Sequence, residues 1–321
     1  MEKLVLAADL GGTNLRMAVV NGYGEIVFRH KVGTPNDGRR EDILDAIVGS
    51  VERCVAETRD GTRISAFGAA VPAIVNSREG VILRSPNLPV LNGFEFASYF
   101  REKLGIPVVL ENDANSAAVG ENWKGASRGI ENSICVTLGT GVGGGIIIDG
   151  KLLRGVDGTA GEIGHIAVEP EGHPCGCGSK GCVEQYSSAI AIKRLVSEFL
   201  GRFPDSALSG EMDVTPLKVY EAGRTGDGLS LEVFRVFATY LGIALGGLVN
   251  VLNPEAIVIG GGVSAGWDLF IDNLRAEISR RAFSHPAERV RLMRSQLGDD
   301  AGIVGAAFLA AEFVRSVPLK T

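Results

Sequence analysis

Basic residues are the minority charge in this 321-residue chain, with 32 Lys and Arg against 38 Asp and Glu and a formal net charge of −6. A broad nucleic-acid surface needs a basic patch or stripe, so this balance argues against one. No unbroken apolar run reaches the ~18–20 residues of a bilayer-spanning helix, so no membrane partner is expected. The opening residues MEKLVLAADLGG lack a basic stretch followed by a long apolar one, so no export signal is expected and the expected location is cytoplasmic. Low-complexity tracts and long linkers are also missing. Hydrophobic residues at 45% and charged residues at 22% lie close to the usual globular shares of about 45–50% and 25%, which excludes a disordered chain. At roughly 100–200 residues per domain, the length suggests two domains or one large one.

Cysteine is scarce and unevenly placed. Cys54 and Cys135 lie alone in apolar surroundings and read as small buried hydrophobes. Cys175, Cys177 and Cys182 crowd into eight residues, and without an export signal such a cluster reads as metal-binding before disulfide. Glycine is the excess, with 44 residues, roughly twice the average share of ~7%. The glycines have no collagen period. They gather beside apolar segments, as nucleotide-binding loops do.

Residues 4–10, 15–21 and 26–32 read as three strands joined by tight turns. Residues 39–58 carry Ile43, Leu44, Ile47, Val48, Val51 and Val55 at helical spacing. Strands are expected again at 65–71 and 107–111, and helices at 116–123, 187–200, 215–222, 229–252, 267–281 and 301–314. Residues 201–213 read as a loop. Strands first paired by turns and then alternating with helices indicate an α/β fold. LGGTNLRMAVVNG at 10–22 matches LGTGVGGGIIIDG at 138–150 without a gap. Each is a strand, a glycine turn and a second strand ending in a type I′-like turn signal. Two such halves predict a duplicated fold with a cleft between them.

Five motifs carry chemistry. In DLGGTN, Asp9 closes a strand and can hold Mg²⁺ through water. Gly11 and Gly12 let the backbone approach phosphate oxygens and tolerate positive φ, and Thr13 adds a hydroxyl donor. Gly139, Thr140, Gly141 and Gly143 belong to GTGVGGG, which contains the spacing of a dinucleotide fingerprint. That fingerprint must open a helix, whereas IIIDG follows here, so a strand and a phosphate clamp are expected. Gly260, Gly261 and Gly262 after an apolar strand suit a flat-lying adenine and ribose, or a plain β–α turn. In ENDAN, Asp113 is either an N-cap or a base that takes the proton of a hydroxyl attacking a γ-phosphate, with Asn112 fixing the substrate. GEIGH followed by CGC and CVE supplies three thiolates and one imidazole, His165 or His173, for a closed Cys₃His Zn²⁺ site of structural kind.

DLGGTN, ENDAN, GTGVGGG, the GEIGH…CGCGSKGCVE run and IGGGVS, in this order, resemble the ROK family (repressors, open reading frames and sugar kinases) across essentially the whole chain. The resemblance implies the duplicated ribonuclease H-like fold of actin, hexokinase and the sugar kinases, two α/β lobes around a cleft. It also implies phosphorylation of a hexose 6-hydroxyl by ATP with Mg²⁺. By the same resemblance Asp113 is the general base, and Asn112, Glu162, His165, Glu184 and Asn87 contact the sugar. His165, Cys175, Cys177 and Cys182 hold zinc. The loops at Asp9–Asn14, including Asn14 itself, and at Gly139–Gly145 bind the phosphates. Pro72-Ala73 stands where many members have Pro-Gly, which questions a backbone contact to the sugar there.

The expected lobes are residues 1–114, with a last helix near 301–321 packing back, and residues 115–300 with a zinc loop at 165–184. A homodimer or homotetramer is expected. ENDANSAAVGE points to the family's glucokinases ahead of its N-acetylglucosamine and N-acetylmannosamine kinases. Family regulators carry a helix-turn-helix before the first glycine loop. Here that loop begins at residue 9 of an acidic chain, so a kinase is expected over a sugar-sensing regulator.

Overall fold

The structure is a computed structural model that describes residues 4–35, 38–58 and 63–316. The end of the expected last helix, 317–321, lies outside the described residues. The chain divides into two compact units. One holds the chain up to Gly129, Gly145–Gly161 and the chain from Gln296; the other holds Ile130–Gly144 and Glu162–Ser295.

The first unit is built on β1 (Leu4–Leu10), β2 (Asn14–Val20), β3 (Ile26–Gly33), α1 (Arg40–Ala56), β4 (Ile64–Val71), β5 (Ile74–Asn76), β6 (Val81–Arg84), α2 (Phe96–Leu104), β7 (Val108–Asn112) and α3 (Asp113–Lys124). Its five-stranded sheet runs β3-β2-β1-β4-β7. The β1–β2 and β2–β3 pairs are antiparallel, because tight turns join them; β4 and β7 add in parallel after crossover connections. Strands buried on both faces read as unbroken apolar runs. In β1, Leu4, Leu6, Ala8 and Leu10 face one cluster with Ile43, Ile47 and Val51 of α1 and Phe96 and Phe100 of α2. Val5 and Ala7 face the other cluster, with Ile303, Ala306, Ala307 and Ala310. The strand period of two sorts them.

The second unit and its flanking segments continue with β8 (Ser133–Leu138), β9 (Val142–Ile148), β10 (Lys151–Leu152), α4 (Ala189–Phe199), α5 (Pro216–Arg224), α6 (Gly228–Leu252), β11 (Ala256–Gly260), α7 (Trp267–Arg281), α8 (Ser284–Arg289), β12 (Arg291–Arg294) and α9 (Ala301–Ser316). The second sheet runs β10-β9-β8-β11-β12, the same scheme as the first, with β8, β11 and β12 parallel. The chain passes from one unit to the other within β9. The internal repeat therefore marks a repeated topology. Its two closing turns differ. Asp149 at φ 50° and Gly150 at φ 70° fit the type I′ reading. The Asn21 turn is wider, because the Asn21 side chain accepts from the Tyr23 and Glu25 N–H groups at 3.0 Å each.

Helix α6 is long and apolar enough to cross a membrane by length and composition, although no unbroken apolar run in the sequence reaches that length. Its Leu229, Val233, Phe234, Phe237, Leu241, Leu245 and Val249 are buried in the second unit, with Phe237 against Phe270 of α7. Glu232 pairs with Arg235 along the exposed side.

Helix α9 lies on β4 and α3 without side chains between the backbones. A Cβ on Gly305 would overlap the Ser116 carbonyl, one on Gly120 the Ala301 carbonyl, and one on Gly68 the Ala306 carbonyl. Gly305→Ala is expected to cost about 1–3 kcal/mol by overpacking, read as a lower midpoint in thermal or urea unfolding. An unchanged midpoint would show that α9 has room to move.

Candidate active site

In the first unit, parallel register puts Asp9 opposite Ala70 and Ala70 opposite Glu111, so β1, β4 and β7 present their carboxyl ends at one sheet edge. Gly11 donates its N–H to the Asn14 carbonyl at 2.8 Å, closing the turn between β1 and β2. Burial pushes the Asp9 carboxyl up, and Arg16 at 3.4 Å pulls it down. Arg16 also reaches Asp299 at 2.8 Å. No local sequence pattern marks Arg16 or Asp299, because the two are far apart along the chain. Asp9 is a hard oxygen donor, the chemistry that a Mg²⁺ accompanying ATP requires.

Asn112 rather than Asp113 caps α3. Its Oδ1 accepts from the Asn115 N–H at 3.0 Å, while Asp113 stands at the first helical position with Oδ1 accepting from the Ala114 N–H at 2.9 Å. Asn112 Nδ2 donates to the Ala73 carbonyl at 3.2 Å. Among the described residues, that is the acceptor Asn112 Nδ2 meets, so its second amide hydrogen is available to a ligand. Ala73 serves Asn112 through its carbonyl, a contact that needs no glycine. Asn87 is exposed and packs on Gly12: a Cβ there would stand 3.3 Å from Asn87 Cβ.

In the second unit, Cys175 Sγ lies 3.5 Å from His165 Nδ1, and Cys177 Sγ lies 3.7 Å from Cys182 Sγ. The four ligand atoms all fall within 4.8 Å of one another. A Zn–S distance of ~2.3 Å in a tetrahedron sets an S···S edge near ~3.7 Å, so the donor set fits zinc. His173 is not part of it: its ring faces Tyr186 and its Nε2 lies 3.6 Å from Glu198. Left-handed Gly178 and Gly181, at φ 96° and 66°, turn the loop back on itself; Gly176 needs no such backbone. Burial pushes the Cys182 thiol up to about 12 and raises Cys175 as well, whereas the Ser179 N–H lowers Cys177.

His165 Nε2, the nitrogen turned away from the cluster, is 3.8 Å from Glu162. Burial pushes the Glu162 carboxyl up; His165 lowers it and Glu184 raises it. Glu184 Oε2 accepts from the Val142 N–H at 3.1 Å, directly after Thr140-Gly141, while its Oε1 lies 3.8 Å from Cys175 Sγ. Gly139 and Gly141 form the turn, and their strand runs straight on as β9 through the β-branched residues, so no helix opens here and the dinucleotide reading fails. Gly143 lies inside β9 and not in the turn. Gly261, at φ 80°, rests on the Leu138 backbone, which seats the third glycine turn beside the second.

Positive φ is not what Gly12 and Gly141 supply, since neither is among the positive-φ glycines; each instead has a side chain lying against it. A Cβ on Gly141 would collide with Glu184 Oε2. Gly141→Val is therefore expected to raise the KM for sugar as well as for ATP, by about tenfold or more each. A rise for ATP alone would detach Glu184 from the loop.

The ROK family model matches residues 5–312. The chain belongs to the ROK family. Among ROK relatives, the glucokinase of Halalkalibacterium halodurans is 36% identical over 98% of this chain and 97% of its own. The glucokinase of Streptomyces coelicolor is 38% identical over 96% and 98%. A solved ROK family glucokinase from Streptomyces griseus, in complex with glucose and AMPPNP, superposes with a TM-score of 0.82 at 37% identity, covering 96% of this chain and 99% of that one. The fold is thus the duplicated actin- and hexokinase-like fold of ROK sugar kinases, as the motifs implied.

Proposed function

We propose that the protein is an ATP-dependent glucose kinase in which Asp113 is the general base. The carrying observation is near-full-length similarity to ROK glucokinases together with an aspartate at the first turn of α3, beside the capping Asn112. Asp113 accepts the proton of the sugar 6-hydroxyl. The oxygen attacks the γ-phosphorus, the bond to the β-phosphate oxygen breaks, and ADP leaves. Within the first unit, Asn112 and Asn87 are the residues assigned to sugar hydroxyls; within the second, the assigned residues are Glu162, His165 and Glu184. In the first unit Asp9, Gly11, Gly12, Thr13 and Asn14 are assigned to phosphate; in the second, Gly139, Thr140 and Gly141 are assigned to phosphate and Gly260, Gly261 and Gly262 to the nucleoside. The position of Gly143 inside β9 leaves it a supporting role for the turn. Mg²⁺ bound with ATP neutralises phosphate charge, and Asp9 is the residue that would hold it through water.

His165, Cys175, Cys177 and Cys182 would hold one structural Zn²⁺, which fixes the His165 ring and leaves Nε2 for a sugar hydroxyl. The test is a coupled turnover assay with ATP over glucose, mannose, fructose, N-acetylglucosamine and N-acetylmannosamine. The highest kcat/KM is expected for glucose. No turnover of glucose, or a higher kcat/KM for an N-acetylhexosamine, overturns the assignment.

A further inference from the structure

Glu111 ends the apolar part of β7 two residues before Asp113, and its side chain is 1% exposed. A carboxyl group so buried needs a partner and filled lone pairs. Arg154 is that partner, with Nε 2.8 Å from Glu111 Oε2. Glu111 Oε1 accepts from the Asn112 N–H at 3.0 Å and from Asn115 Nδ2 at 3.2 Å. Asn115 in turn gives its N–H to the Asn112 side chain. The carboxylate thus grips the residue before Asp113 and the residue two beyond it.

Arg154 is itself placed by its own segment. The Leu153 N–H bonds the Ile146 carbonyl at 2.8 Å, and the Arg154 carbonyl accepts from the Ala160 N–H at 3.2 Å. Farther along, Gly158 lies within 2.8–3.4 Å, measured from an added Cβ, of Val75 and Ser77 atoms. Stability alone is a poor reason for this pair, since well-packed apolar replacements of buried ion pairs are often neutral or better. Its contacts converge instead on the two residues that bracket the base.

We propose that Glu111 and Arg154 are positioning residues for phosphoryl transfer. Arg154 pairs with Glu111 in the interior, and Glu111 locks the first turn of α3 so that the Asp113 carboxylate meets the sugar hydroxyl. This rests on Asp113 being the base. The test measures kcat, both KM values and thermal unfolding for Arg154→Met, Arg154→Lys, the double variant Glu111→Gln with Arg154→Met, and Asp113→Asn.

Arg154→Met should lower kcat by about tenfold or more, since misplacing a catalytic group by ~1 Å can cost ~100-fold. Its KM for ATP should stay within about threefold, the split expected when a group acts mainly in the transition state. The double variant removes the orphaned carboxyl group while the amide oxygen still accepts from Asn112, so it should regain most of the lost kcat. Arg154→Lys, the milder change, should melt near wild type with an intermediate kcat. The proposal is overturned if Arg154→Met keeps more than about half of kcat, an effect too small for a displaced base. It is also overturned if Arg154→Met does not fold and Arg154→Lys matches wild type, or if the double variant is no faster than Arg154→Met. An inactive Asp113→Asn beside a fully active Arg154→Met removes only the positioning pair. An active Asp113→Asn removes the base and the pair with it.

Discussion

Asp113→Asn is expected to fold, to bind glucose with near-normal affinity and to turn over roughly 10²–10⁴ times more slowly, the usual contribution of a general base. The amide keeps the shape of the carboxylate and can still accept from the Ala114 N–H at the helix start. It cannot take the hydroxyl proton. Because the residue lies at the first helical position and Asn112 makes the cap, the substitution leaves the cap bond to Asn115 in place. Steady-state kinetics and a glucose-binding titration separate the two effects. A variant that kept more than about a tenth of wild-type kcat would show that Asp113 is not the base.

Loss of zinc is expected to strike the sugar and largely spare the nucleotide. If the four ligands hold zinc as proposed, Cys177→Ser or exhaustive chelation would remove the tie between His165 and the loop that carries Glu184. Glucose affinity should fall by about 10–100-fold, the range for lost support behind a metal site. ATP binding should weaken less, by the share that passes through the Glu184–Val142 bond. Metal analysis of the purified protein should give about one zinc per chain, as one closed four-ligand site demands. Active protein without zinc, or a chelated sample with unchanged glucose affinity, contradicts the assignment.

Much of the scaffold was legible because local signals agreed with tertiary ones. Residues 4–10 were legible as a strand from their unbroken apolar run, and both faces of that strand are buried. Helix α2 was not read, because Phe94, Phe96, Tyr99 and Phe100 suit a strand as well as a helix; packing of Phe96 and Phe100 on Phe67 decides for the helix. β12 is four residues with a charge at each end, and only pairing with β11 makes it a strand. The two-stranded β5–β6 and the short α8 gave too little pattern to find.

The site followed the same rule. Motifs whose members are neighbours in sequence, such as Asn112-Asp113 or Cys175-Gly-Cys177, were visible. Arg154 with Glu111 and Arg16 with Asp299 are contacts between distant residues, and no local pattern announces them. The choice between His165 and His173 needed distances. So did the purpose of Gly12 and Gly141, which is set by the side chains lying against them and not by their own backbone angles.

The placement of α9 has a consequence for synthesis. It supplies one wall of the core that β1 and β4 begin, so Val5, Ala7, Ala66 and Ala70 wait for Ile303, Ala306 and Ala307. Roughly 200 residues separate the end of β7 from the end of α9. At about 5–20 residues per second, a ribosome leaves that face of the sheet bare for roughly 10–40 s. During that interval an apolar, two-sided sheet stands half covered, a target for chaperones or for a neighbouring nascent chain. A stop codon ahead of residue 301 would make that interval permanent.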